Sequence, residues 1–257
     1  MFRIGTTSYI IPADILPNVE WLAGKVQDIQ LLLFETDAHG SNLPDAALRR
    51  QLRQIAARHG MTYSVHLPLD LCLADGGEIA HESIVKARRV IEATRELEPT
   101  AYTVHLNGRT LPCELGGDGS RTLAAWQAEA KIALQAVADR LPDPASLAIE
   151  NLENWDPQAF APLLAELPVS RAVDIGHLWL EKKPVFPTLA EWLPRTRLIH
   201  IHGTGTRDHQ SLAHAPREEL RQTLRFLRDH FTGVVTIEVF NEADFTSSME
   251  LIQSLLS

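Results

Sequence analysis

Apolar and polar positions along this chain switch repeatedly between a period near two and a period near 3.6, as strands alternating with helices require. Arg3 to Ile10 reads as a first strand, and Asn18 to Lys25 as a short helix carrying Trp21 and Leu22. The apolar run Ile29 to Glu35 is a second strand that ends on a carboxylate. Pro44 and Asp45 open a helix whose Leu48, Leu52, Ile55 and Ala56 recur at helical spacing until Gly60 stops it. Strand three, Thr62 to Leu67, precedes a long amphipathic helix from Glu78 to Leu97. Strand four, Ala101 to Leu106, leads through a glycine-rich loop, Gly116 to Gly119, into a helix capped by Ser120 and ending near Leu141. Strands five to eight are Ser146 to Asn151, Arg171 to Ile175, Arg197 to His202 and Val234 to Phe240. Their helices are Pro157 to Glu166, Thr188 to Leu193, Pro216 to His230 and Glu242 to Leu256.

Eight strands alternating with eight helical segments, without a linker or a shift in composition, predict one α/β domain over residues 1–257. The architecture expected is a single closed (β/α)8 barrel, the TIM barrel. A doubly wound open sheet would more often carry a glycine fingerprint after strand one, and Gly5-Thr6-Thr7-Ser8 is not one.

In such a barrel the chemistry sits where the strands end. Strand three ends in His66, four in His105, five in Glu150, six in Asp174, seven in His202 and eight in Glu238. All six are metal-ligand types at equivalent positions. Two residues earlier on the same face stand Ser64, Thr103, Ala148, Ala172, His200 and Thr236, small except for His200. Small residues leave room there, and the hydroxyls are placed to hold ligands from behind. The outward neighbours Val65, Val104, Ile149, Val173, Ile201 and Ile237 are β-branched, as strands covered by helices require. A lone histidine or carboxylate at a strand end is usually an ordinary hydrogen-bonded residue. Three buried carboxylates side by side, however, repel one another unless protonated or bound to metal. The pattern therefore predicts two or three divalent ions. Nitrogen and carboxylate ligands without thiolates suit zinc best, and manganese or iron are compatible. His177 follows Asp174, and Arg207, Asp208 and His209 follow strand seven. Glu35 ends strand two and could face the same space, whereas Glu153 reads as a solvated loop acid beside Asn154. Arg207, Arg109, Lys182 and Lys183 belong to the same rim, where an arginine could hold a substrate phosphate. His39, His59, His81, His214 and His230 read as solvent-facing or capping.

Composition narrows the partners. The 257 residues are 45% hydrophobic and 22% charged, enough to bury a large core, and the net charge of −9 argues against nucleic acid as the main partner. Cys72 and Cys113 cannot form a disulfide framework and read as buried or loop thiols of a reducing compartment. No apolar segment is long enough to span a membrane, so a cytoplasmic location is expected.

The strand-end motifs resemble those of the xylose isomerase-like barrels, and within them the endonuclease IV branch with three metal ions. That resemblance implies one metal at His66, His105 and Glu150, and a second at Glu150, Asp174, His202 and Glu238. A third would lie at His177, His209 and an aspartate. The chain departs from the Asp-x-His loop pattern, because Arg207 stands two before His209 and the aspartate is its neighbour, Asp208. The chain is more closely similar to the cobamide-remodelling phosphodiesterases of the same superfamily. The opening from Gly5 to Val19 carries this likeness, with Phe34-Glu35, His66 to Asp70, Glu150 to Glu153, Asp174 to His177, Arg207 to His209 and Glu238 to Phe240. It implies hydrolysis of the nucleotide-loop phosphodiester of a vitamin B12-like corrinoid to a cobinamide phosphate and the lower-ligand riboside. Glu150 and Glu238 are then the catalytic carboxylates, and Glu35 a candidate for substrate or proton handling. Arg207 and Tyr9, the latter with Ile10, Ile11 and Leu16, would contact the corrinoid. The competing functions are a sugar isomerase or epimerase with one metal, repair of abasic DNA, and non-catalytic binding of corrinoids.

Overall fold

The computed structural model describes residues 1–36, 40–106, 122–153 and 159–256. Eight parallel strands close into a barrel in the cyclic order β1-β8-β7-β6-β5-β4-β3-β2. They are β1 (Arg3–Thr7), β2 (Asp28–Leu32), β3 (Thr62–His66), β4 (Tyr102–Val104), β5 (Leu147–Glu150), β6 (Ser170–Asp174), β7 (Thr196–Ile201) and β8 (Val234–Ile237). Around them run α1 (Ile15–Leu22), α2 (Ala46–His59), α3 (Gly77–Thr94), α4 (Leu123–Ala138), α5 (Ala161–Glu166), α6 (Ile175–Leu180), α7 (Val185–Trp192), α8 (Arg217–His230) and α9 (Glu242–Leu256). The expected (β/α)8 barrel is the fold. Among the described residues no helix is long and apolar enough to cross a membrane.

Local chemistry sets the helix limits. Asp45 accepts from the Leu48 amide at 2.8 Å to start α2, and Gly60, at φ 64°, ends it in the left-handed conformation. α4 starts at Leu123 and is capped by Thr122, whose hydroxyl accepts from the Ala125 amide. Ser120, Gly116 to Gly119, His39, Arg109, Cys113, Asn154 and Pro157 lie outside the described residues. α1 begins three residues earlier than its apolar spacing suggests. Its buried Asn18 accepts from the amides of Ile10 and Ile11 and donates to the carbonyls of Ile11, Ala13 and Asp14. One side chain thereby fixes the whole loop between β1 and α1. Beyond β2, Glu35–Thr36 pairs antiparallel with Gly40–Ser41, outside the barrel.

The core has two parts. The larger lies between strands and helices and contains the expected outward residues Val65, Val104, Ile149, Val173, Ile201 and Ile237. The smaller fills the barrel with Ala101, Ala148, Ala172, Leu198 and Val234. Small side chains inside leave the upper barrel to polar groups: Gln30, Ser64, Thr103, His200 and Thr236 are all fully buried.

Register then decides which strand ends meet. Asp174 stands opposite His200, not His202, after a shift between Arg171 and Ala172, and Thr236 also stands opposite His200. Equivalent positions in successive strands are therefore not at equal height, as the stagger of a closed barrel requires.

Candidate metal centre

Among the described residues, potential ligand atoms at the carboxyl end of the barrel converge in four overlapping groups: His66, His105 and Glu150; Glu150, Asp174, His200 and Glu238; Asp174, His177, His202 and His209; and Glu153, His177 and Asp208. Glu150 and Asp174 belong to more than one group. Every strand-end residue expected from the sequence, from His66 to Glu238, is present.

In the first group, His66 holds its Nδ1 2.7 Å from the Leu67 carbonyl and turns Nε2 to Glu150 Oε2 at 3.3 Å. His105 Nε2 reaches the same oxygen at 3.0 Å. The second group centres on His200, whose Nδ1 lies 2.6 Å from Glu150 Oε1 and 2.9 Å from Glu238 Oε2. His200, which the expected ligands did not include, joins Glu150, Asp174 and Glu238 because β7 pairs Asp174 with His200, while His202 groups with Asp174, His177 and His209. The signal in the sequence is that His200 alone is bulky where its five counterparts are small. Gln30 Nε2 lies 3.0 Å from His200 Nε2 and donates to Thr103 Oγ1 at 3.2 Å, so this amide orients the ring from below. Only Thr103 of the layer's hydroxyls reaches the cluster in this way. Ser64 donates downward to Asp28, and Thr236 Oγ1 has no hydrogen-bond partner.

The third group is built by α6, a short helix absent from the elements expected from the sequence. Asp174 caps it by accepting from the His177 amide at 2.8 Å. His177 Nδ1 meets the Asn151 carbonyl at 2.9 Å, which leaves Nε2 towards the site. Gly176 is needed because a Cβ there would lie 2.2 Å from the His202 ring. His202 stacks on His209 with ring centres 4.2 Å apart. His209 sits at φ +52°, an uncommon backbone for a residue with a Cβ. Asp208 approaches His209 Nδ1 at 3.0 Å, His202 Nδ1 at 3.3 Å and His177 Nε2 at 3.8 Å. The departure from Asp-x-His thus still delivers an aspartate to the cluster. Glu153, expected to be a solvated loop acid, also comes within 3.9 Å of His177.

The electrostatics suit bound cations. Burial opposes ionisation of Glu150, Asp174 and Glu238, but the neighbouring imidazoles outweigh it and hold all three carboxyls below their ordinary range. Burial would likewise lower the histidines. Instead Asp174 and Glu150 push His177 to about 9, and Asp208 and Glu238 push His209 to about 10. His200 and His202 are raised by Glu150 and Asp174 respectively. Even so, the cluster does not satisfy itself. Asp174 Oδ2, His202 Nε2 and Glu238 Oε2 are buried without a hydrogen bond of good geometry, although His202 Nε2 is 3.2 Å from Asp174 Oδ1 and Glu238 Oε2 is 2.9 Å from His200 Nδ1. Close approaches without hydrogen-bond geometry are what ligand atoms aimed at a shared ion look like. The residues fit divalent metal, and the backbone carbonyls behind His66 and His177 fix their tautomers as ligand histidines require.

Other candidates are placed differently. Glu35 is not in the cluster: it pairs with Arg89 of α3 at 2.9 Å, because the chain turns into the antiparallel ribbon after β2. Arg207 is tied to Asp244 at 2.6 Å and to the carbonyls of Asp208 and His209. Tyr9 is exposed and, with Leu16, lines a cavity of about 1140 Å³, whereas Ile10 is buried in the core. Lys183 pairs with Glu181 at 2.7 Å. His59, His81, His214 and His230 are exposed, as expected.

Residues 26–255 match the family model described as the xylose isomerase-like TIM barrel. A comparison with curated proteins finds no match. Among solved structures, the chain is similar to a D-tagatose 3-epimerase-like protein at 18% identity and TM-score 0.79, covering 99% of this chain and 97% of that one. It is similar to 3-keto-D-glucoside 4-epimerase from E. coli at 15% identity and TM-score 0.69, covering 100% and 99%. Endonuclease IV from Thermus thermophilus matches at 17% identity and TM-score 0.70, covering 99% and 98%. At these identities the likenesses establish the fold.

Proposed function

The chain belongs to the xylose isomerase-like TIM-barrel family, and from that premise we propose that it is a metal-dependent phosphodiesterase acting on cobamides. It would hydrolyse the nucleotide-loop phosphodiester of these corrinoids, leaving a cobinamide phosphate and the lower-ligand riboside. The observation that carries a polynuclear hydrolase is the overlap of the ligand groups through Glu150 and Asp174. His66, His105, His177 and His209 exceed the four ligands that one ion at Glu150, Asp174, His200 and Glu238 would take, which tips the choice towards a polynuclear hydrolase. The corrinoid itself is supported by the motifs at residues 5–19 and in the rim loops.

His66, His105 and Glu150 would hold one ion, and Glu150, Asp174, His200 and Glu238 a second. A third falls to Asp174, His177, His202 and His209, with Asp208 beside them. Zinc suits this nitrogen and carboxylate set. When bound, two or three such ions polarise a phosphoryl group, lower the pKa of water and stabilise a leaving oxygen. The chain's own work is to place them: Glu150 joins two groups, Gln30 orients His200, and the Leu67 and Asn151 carbonyls orient His66 and His177.

The comparisons favour a second reading, sugar epimerisation, since two of the similar structures bear epimerase names and the Glu150, Asp174, His200, Glu238 group alone can hold one ion. Two measurements separate the readings. Protein purified without chelator should carry at least two transition-metal ions per chain and release riboside from a cobamide. One ion, with interconversion of ketoses and no riboside, would establish the epimerase instead. Cleavage of abasic DNA without cobamide cleavage would assign the endonuclease IV activity.

A further inference from the structure

The described part of the barrel's rim carries exposed apolar surface. Four large apolar side chains left exposed lie on one arc of it: Tyr9 after β1, Phe34 after β2, Leu69 after β3 and Phe240 after β8, at 55%, 40%, 64% and 39% exposure. These four strands are consecutive around the barrel. Between them is a cavity of about 300 Å³ whose walls include Phe34, Leu67, Leu69 and Phe240, and whose floor reaches His66 and Glu238 of the metal centre. Leu32 and Phe34 also line the 1140 Å³ cavity under Tyr9, so the two spaces adjoin along one wall.

We propose that the smaller cavity is the specificity pocket for a planar aromatic ring system, carried by the substrate directly beside the group held at the metal centre. The identity of that group as a phosphodiester rests on the phosphodiesterase reading. The pocket itself does not. A site reading a free sugar needs convergent donors and acceptors for each hydroxyl, because unpaired polar groups discriminate strongly. Apart from the ligands His66 and Glu238, the polar side chains among its described lining residues are Thr36 and Asp70. Two phenylalanines instead present ring surface, which favours a flat, weakly hydrated partner. The adjoining larger cavity gives the remainder of such a substrate room that a monosaccharide would leave unfilled. The β1–α1 loop forming it is fixed by Asn18, so the space is built into the fold.

Bis(p-nitrophenyl) phosphate and methyl p-nitrophenyl phosphate test this on the metal-loaded protein. Both release p-nitrophenolate and differ only in the spectator group. The pocket predicts a kcat/KM preference for the aromatic diester of roughly 10-fold or more, beyond its twofold statistical advantage. That preference should collapse in Phe34→Ser and Leu69→Ser, whose exposed positions leave the core packing intact. Calorimetric titration with benzimidazole supplies a readout that needs no turnover, and its affinity should fall at least 10-fold in the same variants. Equal cleavage of both esters, with benzimidazole binding unaffected by the substitutions, would overturn the pocket and leave the phosphodiesterase reading intact. Benzimidazole binding that the variants lose, with neither ester cleaved, would support the pocket and remove the phosphodiesterase reading.

Discussion

Asp28 at the amino end of the barrel and Glu150, Asp174 and Glu238 at the carboxyl end are all buried carboxylates inside one closed sheet. Their surroundings differ in kind. Asp28 accepts from Thr62 Oγ1 at 2.5 Å, Ser64 Oγ at 2.7 Å and Thr100 Oγ1 at 3.4 Å, while Arg3 donates to Thr62 behind them. Neutral hydroxyls answer both of its oxygens. At the other end, histidines surround three carboxylates, yet Asp174 Oδ2 and Glu238 Oε2 have no hydrogen bond of good geometry. A buried charge closed off by hydroxyls belongs to the architecture, whereas one facing imidazoles with its lone pairs unfilled is prepared for a cation.

Stripping metal should separate the two ends most sharply. Chelation is expected to abolish turnover, with zinc restoring it, and to lower Tm by roughly 10 °C if the ions bind at about a thousandfold above their Kd. In the stripped protein, His177 and His209 keep protons that the unfolded chain releases near 6.5. Their contribution to stability is full below that pH and is lost as pH rises through about 9 and 10. Urea titrations of chelated protein between pH 6 and 10 measure this loss. A Tm indifferent to chelation would return the mouth to the same architectural class as Asp28.

Glu150→Gln comes next. Glu150 joins two ligand groups, so turnover should fall by more than the roughly 10–100-fold that loss of an outer partner costs. The circular dichroism spectrum should be retained, because the residue lies above the apolar layer of Ala148 and Ala172. Wild-type kcat in this variant would dissolve the bridge.

The difference between the two ends is only partly legible in the sequence. The mouth is legible because strand period and polar strand ends coincide: His66, His105, Glu150, Asp174 and Glu238 can be placed without coordinates. His200 cannot, because alternation gives the face a side chain points to but not the height at which a neighbouring strand meets it, and the shift at Arg171 and Ala172 sets that height. Glu35 is misplaced by its pattern because an apolar run does not show where a strand leaves the sheet. α6 is too short for a helical period to emerge from its six residues. Asp28 is invisible as a site, since its partners Thr62, Ser64 and Thr100 lie far along the chain and read as ordinary strand and loop hydroxyls.

Gln30→Leu probes the layer between the two ends. Gln30 is fully buried and touches His200 from below and Thr103 beside it. Leucine is close in volume, so stability should change little. The His200 ring, however, loses the partner that fixes its orientation, and turnover and metal affinity should drop together by about 10–100-fold. A KM effect alone, with metal affinity unchanged, would show that Gln30 acts on something other than His200.

The smallest effect should lie at Asp28 itself. Burial raises its pKa above 3.8, opposed by the hydroxyls of Thr62 and Ser64, the charge of Arg3 and the hydroxyl of Thr100. A carboxyl whose pKa is raised on folding binds its proton more tightly in the folded state. Its contribution to stability is therefore full below the unfolded value and is lost as pH rises through the folded one. An asparagine at this position cannot ionise, yet its amide oxygen still accepts from one hydroxyl. The stability of the wild type relative to Asp28→Asn should then decline as pH rises from about 4 towards neutrality, while kcat on the metal-loaded protein stays the same. Urea denaturation of both proteins without metal, across that range, gives the difference directly. If the wild type instead gains on the variant as pH rises, the hydroxyls and Arg3 dominate over burial. Asp28 would then be a stabilised carboxylate, differing from Glu150 only in lacking an ion.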